Sequence, residues 1–277
     1  MKILIFGPRG YLGQRFQSVF PDALGCDADI ADAAAVAAAL EEHHPDVVIN
    51  CAGKTGSPNV DWCEDHKEET LRSNTLGPLV LLEECGKRGI YWVHLSTGCI
   101  YEGQKDFTEE DPPNFSGSFY SRSKGWADQI LKDFPVLQLR LRMPFDDTPD
   151  PRNLITKLAR YPRVLDAENS LTYVPDFLSA AKTLMQRKRT GIYNIVNPGS
   201  LSPYRVMELY REIVDRNHRF EHLSLTDLPG AVRAGRSNCT LSTAKLEKEA
   251  IRLQPVEEAM RKALRAYAHH VALSLHT

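Results

Sequence analysis

The stretch ILIFGPRGYLG, residues 3–13, constrains this chain more than any other. A short β-rich run from Lys2 to Phe6 leads directly into Gly7, Gly10 and Gly13, and then into a helical stretch reaching about Phe20. Glycines so placed permit a tight turn, let the backbone approach a pyrophosphate, and allow the helix to pack closely. The helix start adds free N–H groups and the positive end of its dipole. The pattern predicts a dinucleotide site at Gly7, Gly10, Tyr11, Leu12 and Gly13. A glycine-rich turn without ligand is the plainer alternative.

The rest of the first half alternates strand and helix. Ala23 to Cys26 precedes DADIAD, and residues 32–44 read as a helix of strong formers. VVIN is an apolar strand buried on both faces. Residues 64–88 read as one helix, followed by the strand YWVHLS, a helix over 118–133 and the strand VLQLRLRM. This alternation predicts an α/β fold, a Rossmann-type doubly wound parallel sheet with right-handed crossovers. After about Met143 the pattern loosens into a Pro/Asp loop, the short helix LITKLARY, the helix FLSAAKTLMQRK, the strand GIYNIVN and three further helices. The expected organisation is a dinucleotide-binding Rossmann domain, residues 1–145 plus about 172–196. A smaller, partly discontinuous C-terminal substrate-binding cap takes about 146–171 and 197–277.

Bulk properties exclude several classes. Charged residues make up 25% and the net charge is -2, which argues against nucleic acid or an anionic membrane as partner. No apolar stretch approaches the ~18 residues of a membrane span. The six cysteines, Cys26, Cys51, Cys63, Cys85, Cys99 and Cys239, show no CxxC pair or zinc spacing. No metal is expected, and a cytoplasmic protein with reduced thiols is the economical reading.

Cofactor choice is contested within the loop. Arg9 can meet an adenosine 2′-phosphate through charge-assisted bonds, or be an ordinary surface arginine. Asp27 and Asp29 follow the second strand, where a carboxylate commonly holds the ribose hydroxyls of NAD. Ile30, then Ala52 and Gly53 after VVIN, and further along the chain Asn74, Tyr120 and Lys124, belong to the same expected site. NADPH is the expected cofactor, with NADH possible.

FYSRSK places Tyr120 and Lys124 four residues apart at the start of a helix, on one face. A phenol of ordinary pKa near 10 is a poor acid at neutrality, and a neighbouring ammonium favours the phenolate. A lone YxxxK means little. Here it follows a nucleotide loop and the hydroxyl-bearing strand end HLST. With this constellation the sequence resembles the extended short-chain dehydrogenase/reductase family over nearly its whole length. Within it, the likeness is to the plant and viral nucleotide-rhamnose synthases, bifunctional UDP-4-keto-6-deoxyglucose 3,5-epimerase/4-reductases. It is carried by AGKTGSPNVDWCEDHKEET, STGCIYE, PNFSGSFYSRSK, LRLRMP, DPRNLITKLARY, GIYNIVNPG and RSNCTLSTAKL. The dTDP-4-dehydrorhamnose reductases look like more distant relatives. The resemblance implies a reductive triad of Thr97, Tyr120 and Lys124, with Ser96 positioning the strand end. Asn74 falls where relatives often carry asparagine; it either braces Lys124 through water or pins two backbones together.

Forming an L-rhamnose unit from a 4-keto-6-deoxy-D-glucose unit requires inversion at C3 and C5 as well as reduction at C4. Both carbons are α to the ketone, so their protons become acidic once the enolate is stabilised. Inversion needs a group on each face of the ring. Cys99, two residues beyond Thr97, has a thiol suited to acid/base work, and Lys157 on the helix opening the cap is the expected partner. GDP-fucose synthases, similar in mechanism, use a cysteine and a basic residue at the corresponding places. The plainer alternatives are a buried hydrophobic thiol and a solvated lysine. Thr55, Asn59 and Asp61 either bond sugar hydroxyls or cap the nearby helix. Arg142, Asn153, Arg236 and Asn238 are candidates for the nucleotide and diphosphate, or for surface bridging.

The expected enzyme is an NADPH-preferring nucleotide-sugar epimerase/reductase, fed by a separate 4,6-dehydratase. UDP and dTDP remain open, and a homodimer is compatible with the sequence. A 4-keto reductase without epimerase activity and a nucleotide-sensing regulatory subunit are the rivals.

Overall fold

Apolar β-rich runs separated by amphipathic helices build the central sheet. The computed structural model describes residues 1–228 and 232–274, so 229–231 and 275–277 of the expected cap lie outside it. The six strands of the central sheet are β1 (Ile3–Phe6), β2 (Leu24–Cys26), β3 (Val47–Asn50), β4 (Tyr91–Thr97), β5 (Leu137–Leu141) and β6 (Gly191–Asn194). They lie parallel in the order β6-β5-β4-β3-β1-β2. Every residue of β1 and β3 is buried, as strands covered on both faces require. Helices α1 (Tyr11–Val19), α2 (Ala33–His43), α3 (Gly77–Lys87), α4 (Phe119–Leu131), α5 (Leu154–Leu158), α6 (Val174–Gln186), α7 (Pro203–Ile213) and α8 (Val256–Ser274) complete the main elements.

One face of the sheet carries Ile5, Ile49 and Leu139 against Phe16 of α1 and Phe177 of α6. The other carries Leu4, Phe6 and Val48 against Leu40, Leu81 and Leu131 of α2, α3 and α4. A separate apolar cluster joins Ile155 of α5, Met207 of α7 and Met260 of α8 to Phe145 and Tyr173. The chain leaves β1 first toward β2 and then returns to place β3 on its other side. That reversal opens a crevice at the carboxyl ends of β1 and β3, where ligands enter such sheets.

Two features depart from the sequence reading. The helix expected over 64–88 is broken into Trp62–Asp65, Lys67–Leu71, a π-helical turn Arg72–Leu76, and α3. His66 leaves helical geometry (φ -119°, ψ 52°), and its ring stacks on Trp62 with centroids 3.8 Å apart. Three short parallel pairs were not foreseen: Asp106–Phe107 with Thr240–Leu241, Pro144–Phe145 with Thr172–Tyr173, and Arg163–Leu165 with Glu221–Leu223.

Beneath α4 lies an ion pair with both side chains fully buried: Arg140 reaches Asp128 at 2.5 and 2.9 Å. Ser96 donates to the same carboxylate at 2.9 Å, so its hydroxyl serves the strand end. Asp128→Ala leaves the Arg140 charge buried without its partner. Urea denaturation is expected to show a loss of about 3–5 kcal/mol. A loss below about 1 kcal/mol would mean that the pair is not an anchor for α4.

Candidate active site

The glycine loop forms a cradle at the crevice. Gly7 adopts φ 74°, and a Cβ there would lie 2.7 Å from the Ala52 nitrogen. A Cβ on Gly13 would lie 2.2 Å from the Gly7 carbonyl oxygen, so α1 abuts the loop directly. Gly10 precedes α1 with no side-chain cap, and the first turn holds no acidic residue. The leading amides are therefore open to an anion. A dinucleotide diphosphate fits this donor set.

The side chains around the cradle divide. Leu12 packs on the sheet core, and the Tyr11 ring lies under the Arg15 and Arg152 guanidinium groups at 5.2 and 5.8 Å. Ile30 is buried, and a Cβ on Gly77 would come within 2.4 Å of it. Its side chain is core, leaving only its backbone to meet a ligand. Arg9 pairs with Asp27 at 2.9 Å, both exposed. Asp29 accepts from the Ala31 N–H at 2.9 Å and from Arg72 at 3.2 Å, which hold its carboxyl below the usual range.

Thr97 ends β4, and Tyr120 and Lys124 lie in the first turns of α4, which Ser118 caps through the Ser121 N–H at 3.1 Å. Glu64 accepts from the Phe119 N–H at 2.6 Å and ties the broken helix to this helix start. Tyr120 is partly exposed, and Thr97 neighbours its phenol. Burial, then the neighbouring Cys99, push the phenol up, while Thr97 and Arg142 oppose them. This direction is opposite to the one expected from an adjacent ammonium. Lys124 instead donates to the Leu95 carbonyl at 2.8 Å, and burial lowers its pKa to about 8. Asn74, on the π turn, accepts from the Lys54 N–H at 2.8 Å and donates to the Lys54 carbonyl at 2.9 Å and Ser123 Oγ at 3.2 Å. Of its two expected roles these are the backbone pin. Gly53 lies against it, where a Cβ would be 3.4 Å from Asn74 Oδ1.

Cys99 is half-buried, its N–H donating to Thr97 Oγ1 at 3.1 Å. Arg142 donates to its sulfur at 3.4 Å. Expected among the diphosphate ligands, Arg142 is instead only 2% exposed and committed inward to Cys99, Ser237 and Asn169. Asn153, expected on the substrate, is fully buried and caps α5 through the Ile155 N–H at 3.1 Å. Its amide donates to Asp146 and Thr148. Lys157, half-buried on α5, is lowered by burial and by Arg152 against the opposing Asp150. Among the described residues its Nζ has no hydrogen-bond or ion-pair partner.

Four expected substrate residues meet across the crevice mouth. Arg236 donates to Asp61 at 2.9 Å and to Asn59 at 3.4 Å, and its carbonyl accepts from Asn238 at 3.1 Å. Asp61 also accepts from the Ala234 N–H at 3.0 Å and does not cap the helix after it. Thr55 lies exposed on the same loop.

The family model described as the RmlD substrate binding domain matches residues 1–269. The chain belongs to the RmlD-type short-chain dehydrogenase/reductase family. This family member is 37% identical to the Arabidopsis thaliana bifunctional dTDP-4-dehydrorhamnose 3,5-epimerase/dTDP-4-dehydrorhamnose reductase, over 94% of this chain and 91% of that one. The crystal structure of the UDP-rhamnose synthase from Acanthamoeba polyphaga mimivirus matches it with a TM-score of 0.91 at 33% identity, covering 96% and 99% of the two chains. A dTDP-4-dehydrorhamnose reductase from Bacillus anthracis, solved with NADP, shares the fold with a TM-score of 0.83 at 21% identity, over 96% of this chain and 99% of that one. The chain is also 35% identical to a trifunctional Arabidopsis thaliana enzyme and spans 41% of its length. Reductase activity on nucleotide sugars is the activity class that this RmlD-type chain carries.

Several residues of this RmlD-type site escaped sequence reasoning. Arg72 reaches Asp29 from the π turn. Arg152, in sequence already a cation near Lys157, also makes a contact the sequence did not suggest: it donates to the Arg9 carbonyl at 2.9 Å and to Gln14 at 3.0 Å, joining the loop before α5 to the glycine loop. Asn169 and Ser237 hold Arg142. None belongs to a recognisable spacing, because each contact spans dozens of residues in sequence.

Proposed function

We propose that this chain is a bifunctional 3,5-epimerase/4-reductase converting UDP-4-keto-6-deoxy-D-glucose to UDP-L-rhamnose. The observation that carries the reading is the placement of Cys99 beside Tyr120 and Thr97, in contact with Arg142. Reduction needs Thr97, Tyr120 and Lys124, whereas inversion needs a further acid/base group at the ring. Gly7, Gly10, Gly13 and the α1 amides, with Arg9 and Asp29, would hold NADPH, which would supply the hydride for C4. Lys157, with its unpartnered amine, is the proton carrier for the opposite face of the ring.

Thr97 and Tyr120 donate to the C4 oxygen and draw negative charge onto it, which acidifies C3 and C5. Cys99 and Lys157 exchange protons at these carbons from the two faces. Tyr120 then gives its proton to the C4 oxygen. Asn59, Asp61, Arg236 and Asn238 grip the nucleotide sugar, and the dinucleotide and cap halves divide as 1–145 with about 172–196, and about 146–171 with 197–277. A separate 4,6-dehydratase supplies the keto sugar.

Incubation with NADPH and UDP-4-keto-6-deoxyglucose is expected to give UDP-L-rhamnose on chromatography with NMR. No turnover of either the UDP or the dTDP substrate overturns the reading. A pH dependence accompanies it. Lys124 is lowered to about 8 by burial, so its ammonium is present below that pH and lost above it. Because kcat/KM reports groups of the free enzyme, kcat/KM for reduction is expected to fall as pH rises past about 8. A profile flat to pH ~10, near the ordinary lysine value, would remove the Lys124 charge from the mechanism.

A further inference from the structure

We infer that Arg142 is a positioning residue for acid/base chemistry, supplying the positive charge that faces Cys99 when its thiol becomes anionic. A guanidinium has five N–H donors, and all are engaged. Nε meets Asn169 Oδ1 at 3.1 Å, and Nη1 meets Ser237 Oγ at 3.0 Å and Cys99 Sγ at 3.4 Å. Nη2 meets the Ser237 carbonyl at 2.6 Å and Asn169 Oδ1. The fork cannot swing away without breaking this set.

None of those acceptors is a carboxylate, and among the described residues no acidic group forms an ion pair with Arg142. Arg140, two residues earlier, has Asp128 as counter-charge. Burying a cation with neutral partners alone is unfavourable, yet the fold keeps a positive charge here. The next residue, Met143, adopts the left-handed region at φ 43°, a strained geometry of the kind found at functional sites. The groups facing Cys99 are Arg142 from the end of β5, Tyr120 from α4, Thr97 from β4, and Cys239 from the 232–243 segment. Arg142 is the one cation among them. It also acts on the Tyr120 phenol, favouring its anion. The guanidinium thus serves the thiol, while Asn169 and Ser237 fix its aim.

This inference rests on Cys99 as an acid/base group, and its test separates the two ideas. Alkylation of Cys99 by iodoacetamide, followed by peptide mass spectrometry without substrate, reads the sulfur alone. Because the thiolate is the nucleophile, Arg142→Met is expected to slow alkylation at neutral pH by about tenfold or more, with NADPH affinity retained. Arg142→Lys, which keeps the charge and loses the fork, is expected to recover part of the rate. If the Met variant fails to fold, Arg142→Gln keeps polar groups for the same acceptors without the charge and is read the same way. Unchanged alkylation in a folded, uncharged variant overturns the inference. Slowed alkylation in an enzyme that shows no C3 or C5 exchange would leave the charge assignment standing and remove the epimerase reading.

Discussion

Tyr120→Phe lowers NADPH oxidation by roughly 10²–10⁴-fold, the range for loss of a positioned general acid, and leaves NADPH binding intact. The phenol neighbours Thr97 and is raised by burial and by Cys99. A raised phenol holds its proton until negative charge forms on the substrate oxygen beside it, which is the timing a proton donor needs. Phenylalanine keeps the ring and its packing, so the loss reads the proton and the hydrogen bond. Stopped-flow oxidation with a fluorescence titration of NADPH separates chemistry from binding. A decrease of less than about fivefold would mean that another group or water protonates C4.

Cys99→Ser is expected to abolish inversion, with exchange at C3 and C5 falling by about 10²–10⁴-fold, while cofactor binding persists. Serine preserves size and hydrogen bonding, and the Cys99 N–H still reaches Thr97. Its hydroxyl, however, is far harder to deprotonate than a thiol, so the lost ability is proton transfer. Lys157→Met should lose exchange as well. If either variant makes UDP-L-rhamnose at the native rate, its residue is not an epimerisation group.

What could be read from the sequence was what is local. The Gly7, Gly10 and Gly13 loop, the strand–helix alternation and the Tyr120/Lys124 spacing are short-range patterns, and they mark the crevice and the start of α4 correctly. The π turn at Arg72–Leu76 was not legible, since RSNTL reads as ordinary helix; on it Asn74 bonds the Lys54 backbone and Ser123, partners remote in sequence. Arg142 and Asn153 show the same limit for side chains. Residue type suggested phosphate and sugar contacts, whereas burial decided the environment: one guanidinium turned inward to Cys99 and one amide capping α5. The charge relation of Tyr120 and Lys124 also depended on depth. Four residues of spacing place both on one face, but burial and the Leu95 carbonyl set where the lysine charge sits.

The most direct test of the central claim is NMR of the product formed in deuterium oxide from UDP-4-keto-6-deoxyglucose and NADPH, with an enzyme-free control for slow exchange. Deuterium at both C3 and C5 of an L-rhamnose product is the predicted result, because each centre must lose a carbon-bound proton and regain one from exchangeable groups. A D-configured 6-deoxy sugar without deuterium, formed with stoichiometric NADPH oxidation, would contradict it and leave a reductase in which Cys99 only packs.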